Sequence, residues 1–278
     1  MQSYTVSKLL SRINNTLLPA ADAHIHISDM SVQRGYGIFD FFKIIHNRPV
    51  FLKEHLDRFF ASARAMRLHC PLSREALIQA IEELIQKNDL PQSGMRLTLT
   101  GGYAADGYSI HEPNLLLVQQ PLQLTKELQP GIRLITHEHQ RQLPHVKSID
   151  YLMAVWLQPH IRQQEVADVL YHQQGIITEC PRSNFFIVNK HNELVTPSLN
   201  ILAGITRKKL LELAAGSMTV KEAPVTIADL REAKEAFVTS TTKHLLPVIQ
   251  IDDITIADGH AGPVTSALFG ELINMVFS

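Results

Sequence analysis

The sequence predicts a mixed α/β fold in two halves. Strand-like apolar runs alternate with segments of helical periodicity, a polar stretch punctuated by Pro and Gly interrupts the pattern near the middle, and the order of elements is too irregular for a doubly wound sheet.

In the first half, residues 24 to 27 (HIHI) and 38 to 45 (IFDFFKII) read as strands, and NRP at 47 to 49 turns the chain into VFL. Leu56, Phe59, Phe60 and Ala63 recur at helical spacing and predict a helix over 52 to 66. Ser73 followed by Glu75 opens a second helix through Ile85. MRLTLT (95 to 100) and LLLVQQ (115 to 120) are strands around GGYAADG, a loop too irregular for a dinucleotide fingerprint. The boundary stretch sets a small N-terminal α/β domain over 1 to 120, a linker over 121 to 131 and a larger C-terminal α/β domain over 132 to 278. In the second half, IRLITHE (132 to 138) is a strand, a helix starts near Asp150, and VLYHQQGIITE is a hairpin turning at Gln174-Gly175. A strand at 184 to 188, a helix from Ile205 to Ala215 and a strand at 235 to 239 follow, with no internal repeat.

The chain has 278 residues, 45% of them hydrophobic and 19% charged, which fits a folded protein and excludes wholesale disorder. With 26 basic against 27 acidic residues there is no net field for a nucleic acid or an anionic membrane, so the partners are small molecules. No apolar stretch approaches the length of a membrane span. Cys70 and Cys180 form no disulfide framework or thiolate cluster, which points to a reducing compartment and, by default, the cytoplasm. The first 21 residues carry Lys8 and Arg12 and no acid, but no continuous apolar core, and read as the ordinary start of a domain.

Several chemistries lack their signatures: there is no G-x-S-x-G elbow, no Walker loop and no H-E-x-x-H. His24 with His26, and His137 with His139, each alternate onto one face, but a third ligand at sensible spacing is missing, so they read as strand histidines and no metal is assigned.

Four other elements gain meaning together. Lys147, in LPHVKSIDYL, stands between an apolar strand end and a helix start, where an amine can be kept from water and reactive. Glu179 ends the strand IIT. GIT at 204 to 206 leads straight into the helix RKKLLELAA, whose free N–H groups form a phosphate seat. TSTT at 239 to 242 offers hydroxyl and N–H donors after the strand AFV. Taken singly these are a solvated lysine, a hairpin carboxylate, a helix cap and a polar turn. Together they are what pyridoxal 5′-phosphate requires: an amine for its aldehyde, a carboxylate for its ring nitrogen and donors for its phosphate.

In this order the residues resemble the fold-type IV pyridoxal phosphate enzymes, the class IV aminotransferases, a family that includes D-amino-acid transaminases, branched-chain aminotransferases and aminodeoxychorismate lyases. The resemblance runs from about Asp29 to Asp253 and rests on EHLDRFFASA, VKSIDY, ITECPRSNFFIV, LAGITRKKLLELA and FVTSTTKHLLPVIQID, the last especially close to D-amino-acid transaminases. It implies two α/β domains with the cofactor in the cleft between them, and a homodimer. It also implies Lys147 as the Schiff-base lysine, Glu179 on the pyridine nitrogen and Arg58 on the phosphate. Ile205, Thr206, Ser240 and Thr241 complete the phosphate cup, Leu202 packs on the ring, and Tyr151 approaches its phenolic oxygen.

The departures bear on substrate. Where familiar D-amino-acid transaminases hold the substrate carboxylate with a tyrosine and with an arginine in V-T-R-G, this sequence has Phe39 and Gly101. Of the branched-chain Y-I-R motif only Arg96 remains, and Asp150 replaces the more usual Asn. An arginine fork is the best carboxylate anchor. Arg34, before the turn Gly35-Tyr36-Gly37, and Arg182, three residues after Glu179, match the D-amino-acid transaminases that use two arginines, with Arg34 reaching the neighbouring subunit's site. The resemblance thus implies transfer of an amino group from an amino acid, such as D-alanine or D-glutamate, to a 2-oxo acid such as 2-oxoglutarate. An aminodeoxychorismate lyase, a branched-chain L-amino-acid aminotransferase and a cofactor-binding protein without turnover are the alternatives.

Overall fold

The computed structural model describes residues 9 to 278, so the reading of Lys8 lies outside the described residues. The chain divides into two compact units: the first holds the chain up to Leu124 together with Val146–Asp150, the second holds Thr125–His145 and Tyr151–Ser278.

In the first unit β1 (Leu10–Ile13), β2 (Thr16–Pro19), α1 (Met30–Arg34), β3 (Gly37–Ile45), β4 (Arg48–Pro49), α2 (Leu52–Ala65), α3 (Arg74–Asn88), β5 (Gln92–Thr100) and β6 (Leu115–Pro121) follow in order. The strands form one antiparallel sheet, ordered β2-β1-β6-β5-β3-β4. Alternation along β3 sorts its side chains. Ile38, Phe42 and Ile44 enter the core with Leu56 and Phe59 of α2 and Leu77, Ile81 and Leu84 of α3. Phe39, Phe41 and Lys43 lie on the opposite face. The Ser73 hydroxyl caps α3 by accepting from the Ala76 N–H at 3.2 Å.

HIHI is not a strand. Its alternation finds no neighbouring ladder, and the chain instead turns into Asp29, the N-cap of α1. The buried Asp29 carboxylate accepts from Ser31 N–H at 2.8 Å, Ser31 Oγ at 2.6 Å, Thr100 Oγ1 at 2.8 Å and Asn114 Nδ2 at 2.8 Å, which ties the segment to the strands behind it.

The second unit contains β7 (Ile132–Glu138), α4 (Leu152–Trp156), α5 (Gln158–Gln163), β8 (Asp168–Gln173), β9 (Ile176–Ile177), β10 (Glu179–Cys180), β11 (Ser183–Val188), β12 (Leu194–Thr196), α6 (Ile205–Ala214), β13 (Val220–Glu222), β14 (Val225–Thr226), α7 (Ile227–Glu232), β15 (Glu235–Ser240), β16 (His244–Ile251), β17 (Ile254–Thr255) and α8 (Pro263–Phe277). Its sheet runs β13-β12-β11-β15-β16-β7-β8-β9-β14, with β10 paired to β11 and β17 to β16. The β8–β9 hairpin turns on Gln174 and Gly175 at φ 50° and 78°, the left-handed pair that a two-residue hairpin loop needs. Phe185, Ile187, Val238 and Val248 fill the core. Among the described residues no helix is long and apolar enough to cross a membrane.

Lys147 lies past the middle of the chain yet clusters with the first unit. The reason is a short antiparallel pairing: Phe39 N–H donates to Lys147 C=O at 2.9 Å, Ile149 N–H donates to Gly37 C=O at 3.0 Å, and Ile38 bridges Ser148. The segment is thereby stitched along the open edge of β3.

Candidate active site

In the first unit the pairing sets Lys147 directly opposite Phe39, and the Lys147 Nζ lies 4.5 Å from the Phe39 ring centroid. Arg96, from β5, places its guanidinium carbon 3.8 Å from the same centroid. One buried ring therefore carries a lysine and an arginine, an arrangement stabilised by its quadrupole.

On the other face of β3, Arg58 of α2 grips Asp40 in a bidentate fork, Nε to Oδ2 and Nη2 to Oδ1, both at 2.8 Å. His55 Nδ1 meets Asp40 Oδ1 at 2.7 Å. Burial pushes the Asp40 carboxyl up, but Arg58 and His55 outweigh it and hold the group well below the usual carboxylate range. Burial lowers His55, against Asp40, so its imidazole is neutral at pH 7 and donates its Nδ1–H to the carboxylate. Arg58 is thus fixed in plane and position.

The second unit assembles a different group. Register sets Glu179 opposite Asn184, and Asn184 opposite Thr239, in one row across β10, β11 and β15. Glu179 is buried; its Oε1 accepts from Arg141 Nη1 at 2.9 Å and its Oε2 from Leu202 N–H at 3.0 Å. Asn184 Nδ2 donates to Leu202 C=O at 2.8 Å, so Leu202 is held from both sides. Two residues on, Gly204 caps α6 without a side-chain hydrogen bond. A Cβ there would collide with Asn184 Oδ1, so only glycine lets the α6 N-terminus approach the row. Ile205 and Thr206, both buried, open that helix, and β15 ends at Thr239 and Ser240. The Thr239 hydroxyl is buried without a hydrogen-bond partner among the described residues, and Ser240 Oγ accepts from Lys243 N–H at 3.2 Å. Thr241 follows in the same turn, half-buried.

These donors fit pyridoxal phosphate. The α6 N-terminus without a side-chain cap and the unpartnered Thr239 hydroxyl suit a phosphate, and a carboxylate oriented by Arg141 and Leu202 suits a protonated ring nitrogen. Tyr151 is the N-cap of α4, half-buried.

The substrate candidates divide. Phe39 and Arg96 lie beside Lys147. Arg34 ends α1 ahead of the left-handed Gly35, is exposed, and donates from Nη1 to Gln33 C=O at 2.9 Å. Arg182, in the turn between β10 and β11, is 62% exposed at its side chain, with Nη2 3.9 Å from Asp168 Oδ2. Arg141, Asn184, Asp40 and His55 escape the sequence reading. A carboxylate inside the apolar run IFDFF is the signal that would have found Asp40, since a buried strand acid demands a cation. His137 and His139 pack against Tyr171, with ring centroids 6.5 and 4.9 Å away. Among the described residues no cluster of His, Cys, Asp and Glu has the arrangement of a metal site.

Comparison with known proteins shows the family. The model of the amino-transferase class IV family matches residues 37–251. A D-alanine aminotransferase of Listeria monocytogenes is 31% identical over 267 residues, 92% of each chain. A putative branched-chain-amino-acid aminotransferase of Methanocaldococcus jannaschii is 31% identical over 269 residues, again 92% of each. Among solved structures, the branched-chain amino acid aminotransferase of Escherichia coli superposes with a TM-score of 0.87 at 22% identity, over 97% of this chain and 95% of that one. A hypothetical aminotransferase from Mycobacterium tuberculosis in its PLP-bound form gives 0.81 at 20% identity, over 96% and 98%. With the family model spanning both groups of residues, this chain belongs to the class IV aminotransferases, pyridoxal phosphate-dependent enzymes of fold type IV.

Proposed function

We propose that the enzyme moves the amino group of a D-amino acid, such as D-alanine or D-glutamate, to a 2-oxo acid such as 2-oxoglutarate. The observation that carries this reading is the buried Phe39 opposite Lys147: with no hydroxyl there, anchoring the substrate carboxylate falls to arginine. Arg96 beside the same ring and Arg182 near Glu179 in sequence are the forks available, and Arg34 serves the neighbouring subunit in a homodimer. The D-alanine aminotransferase relatives support the stereochemistry. Exposed apolar residues on α4, Leu152, Val155 and Trp156 at 79%, 66% and 68%, support self-association, and two free cysteines support a cytoplasmic setting.

Pyridoxal phosphate, when bound, supplies an aldehyde for the Lys147 amine and a ring that takes up the electrons of a broken Cα bond. Lys147 Nζ removes the Cα proton as general base and returns a proton as general acid. Glu179, oriented by Arg141 and the Leu202 N–H, would hold the ring-nitrogen proton. Arg58, the N–H of Ile205, Thr206, Ser240 and Thr241 would hold the phosphate; Leu202 would pack on the ring and Tyr151 would sit by its phenolic oxygen. The arginines fix the substrate so that the Cα–H bond is the one broken.

The test is the half-reaction. Purified holoenzyme given D-alanine or D-glutamate converts its cofactor absorbance to that of pyridoxamine phosphate, and 2-oxoglutarate restores it. The Methanocaldococcus jannaschii relative and the retained Arg96 favour a second reading, a branched-chain L-amino-acid aminotransferase. Conversion by L-leucine and not by D-amino acids establishes that one instead, and release of pyruvate from aminodeoxychorismate without an acceptor establishes a lyase.

A further inference from the structure

Asp168, the first residue of β8, is a buried carboxylate with an unfilled hydrogen-bonding capacity. Its Oδ1 accepts from the Val169 N–H at 3.0 Å, while Oδ2, out of contact with solvent, has no hydrogen-bond partner among the described residues. Such an arrangement costs stability and calls for an explanation. The nearest guanidinium is that of Arg182, with Nη2 at 3.9 Å, beyond hydrogen-bond length yet close enough that a small side-chain rotation would make the contact. Burial pushes the Asp168 carboxyl up, and the Val169 N–H and the charges of Lys243 and Arg182 act against it. Arg182 itself is exposed and long, so unless held it loses several rotatable bonds' freedom on gripping a carboxylate.

We propose that Asp168 is a positioning residue for Arg182, holding one edge of the guanidinium so that the other is presented to the substrate carboxylate. The inference rests on Arg182 being a substrate anchor.

A double-mutant cycle on the holoenzyme separates the two claims. Arg182→Ala raises KM for the amino acid and weakens binding of succinate, a carboxylate that cannot react, measured by titration. Asp168→Asn raises KM and the succinate Kd about tenfold, the size of one charge-assisted contact, with kcat and cofactor absorbance unchanged. In the Arg182→Ala background the same substitution adds nothing. If Arg182→Ala raises KM while Asp168→Asn leaves KM and succinate binding unaltered, the positioning role is refuted and the anchor stands. An equal effect of Asp168→Asn in both backgrounds also refutes it. If Arg182→Ala changes neither quantity, the anchor reading fails first. Should the Asn variant not fold, Asp168→Glu, which keeps the charge and moves it by one methylene, is expected to raise KM by a smaller factor, and no change refutes the role.

Discussion

Arg141 donates from Nη1 to Glu179 Oε1 at 2.9 Å, an ion pair with little solvent at either side chain. Breaking a buried pair by removing one member strands the other charge, at a cost of about 3 to 5 kcal/mol. Arg141→Met is accordingly expected to lower the unfolding free energy by roughly that amount and to impair turnover, as read by denaturant titration and steady-state assay. Glu179→Gln keeps the shape without the charge; cofactor absorbance persists while kcat falls about a hundredfold or more. Full activity in Glu179→Gln would remove the carboxylate from the chemistry.

Lys147 and Arg96 share the Phe39 ring but differ in task. Lys147→Ala abolishes both the covalent cofactor band and turnover. Arg96→Ala keeps the band and lowers kcat/KM about tenfold to a hundredfold, the loss of one or two charged hydrogen bonds. Unchanged kinetics would return Arg96 to a packing role.

Gly204 is the position where a methyl group meets an obstacle. Asn184 cannot swing aside without giving up its bond to Leu202 C=O, so Gly204→Ala forces a shift costing about 1 to 3 kcal/mol. Equilibrium dialysis should also find weaker cofactor retention, because the α6 N-terminus moves. Wild-type stability and retention together would show that the row has slack.

Lys43 is 2% exposed on β3, and burial lowers its amine to about 7. Its ordinary value is 10.5, so between about pH 7 and 10.5 the unfolded chain binds more protons than the folded one. Stability contributed at this position therefore rises with pH across that window and is lowest below it. Lys43→Met is expected to stabilise by about 2 kcal/mol at pH 6 and by less at pH 9, followed by thermal unfolding at both. A gain independent of pH would contradict the assignment.

Asp40 has the opposite sign. Its folded carboxyl lies below the unfolded value, so its contribution is complete above that value and is lost as the pH falls through the acid range. Asp40→Asn should be less stable than wild type at pH 7 and show a shallower acid limb. Identical acid limbs would mean that Arg58 and His55 do not set the carboxyl's titration.

Local chemistry made much of the fold readable. Ser73 announces α3 and Gln174-Gly175 a hairpin because in both cases the deciding interaction lies within a few residues, and IFDFFKII is a strand because its alternation meets β5 along its whole length. HIHI misleads for the complementary reason: alternation describes a strand only if a neighbour pairs with it, and the polar cluster around Asp29 draws the chain elsewhere. The site divides the same way. Lys147, Glu179 and the Gly204 turn stand in recognisable local settings, whereas Arg141 meets Glu179 across 38 residues and Asn184 meets the Gly204 turn through its hydrogen bond to Leu202.

The stitching of residues 146 to 149 onto β3 has a consequence for biosynthesis. Translation delivers β3 more than a hundred residues before its last edge partner, so the nascent first unit waits with part of that edge unpaired, open to association with other chains. A fragment ending at Leu124 would keep that vulnerability permanently, and restoring the missing strand as a peptide spanning Val146–Asp150 is the natural way to relieve it.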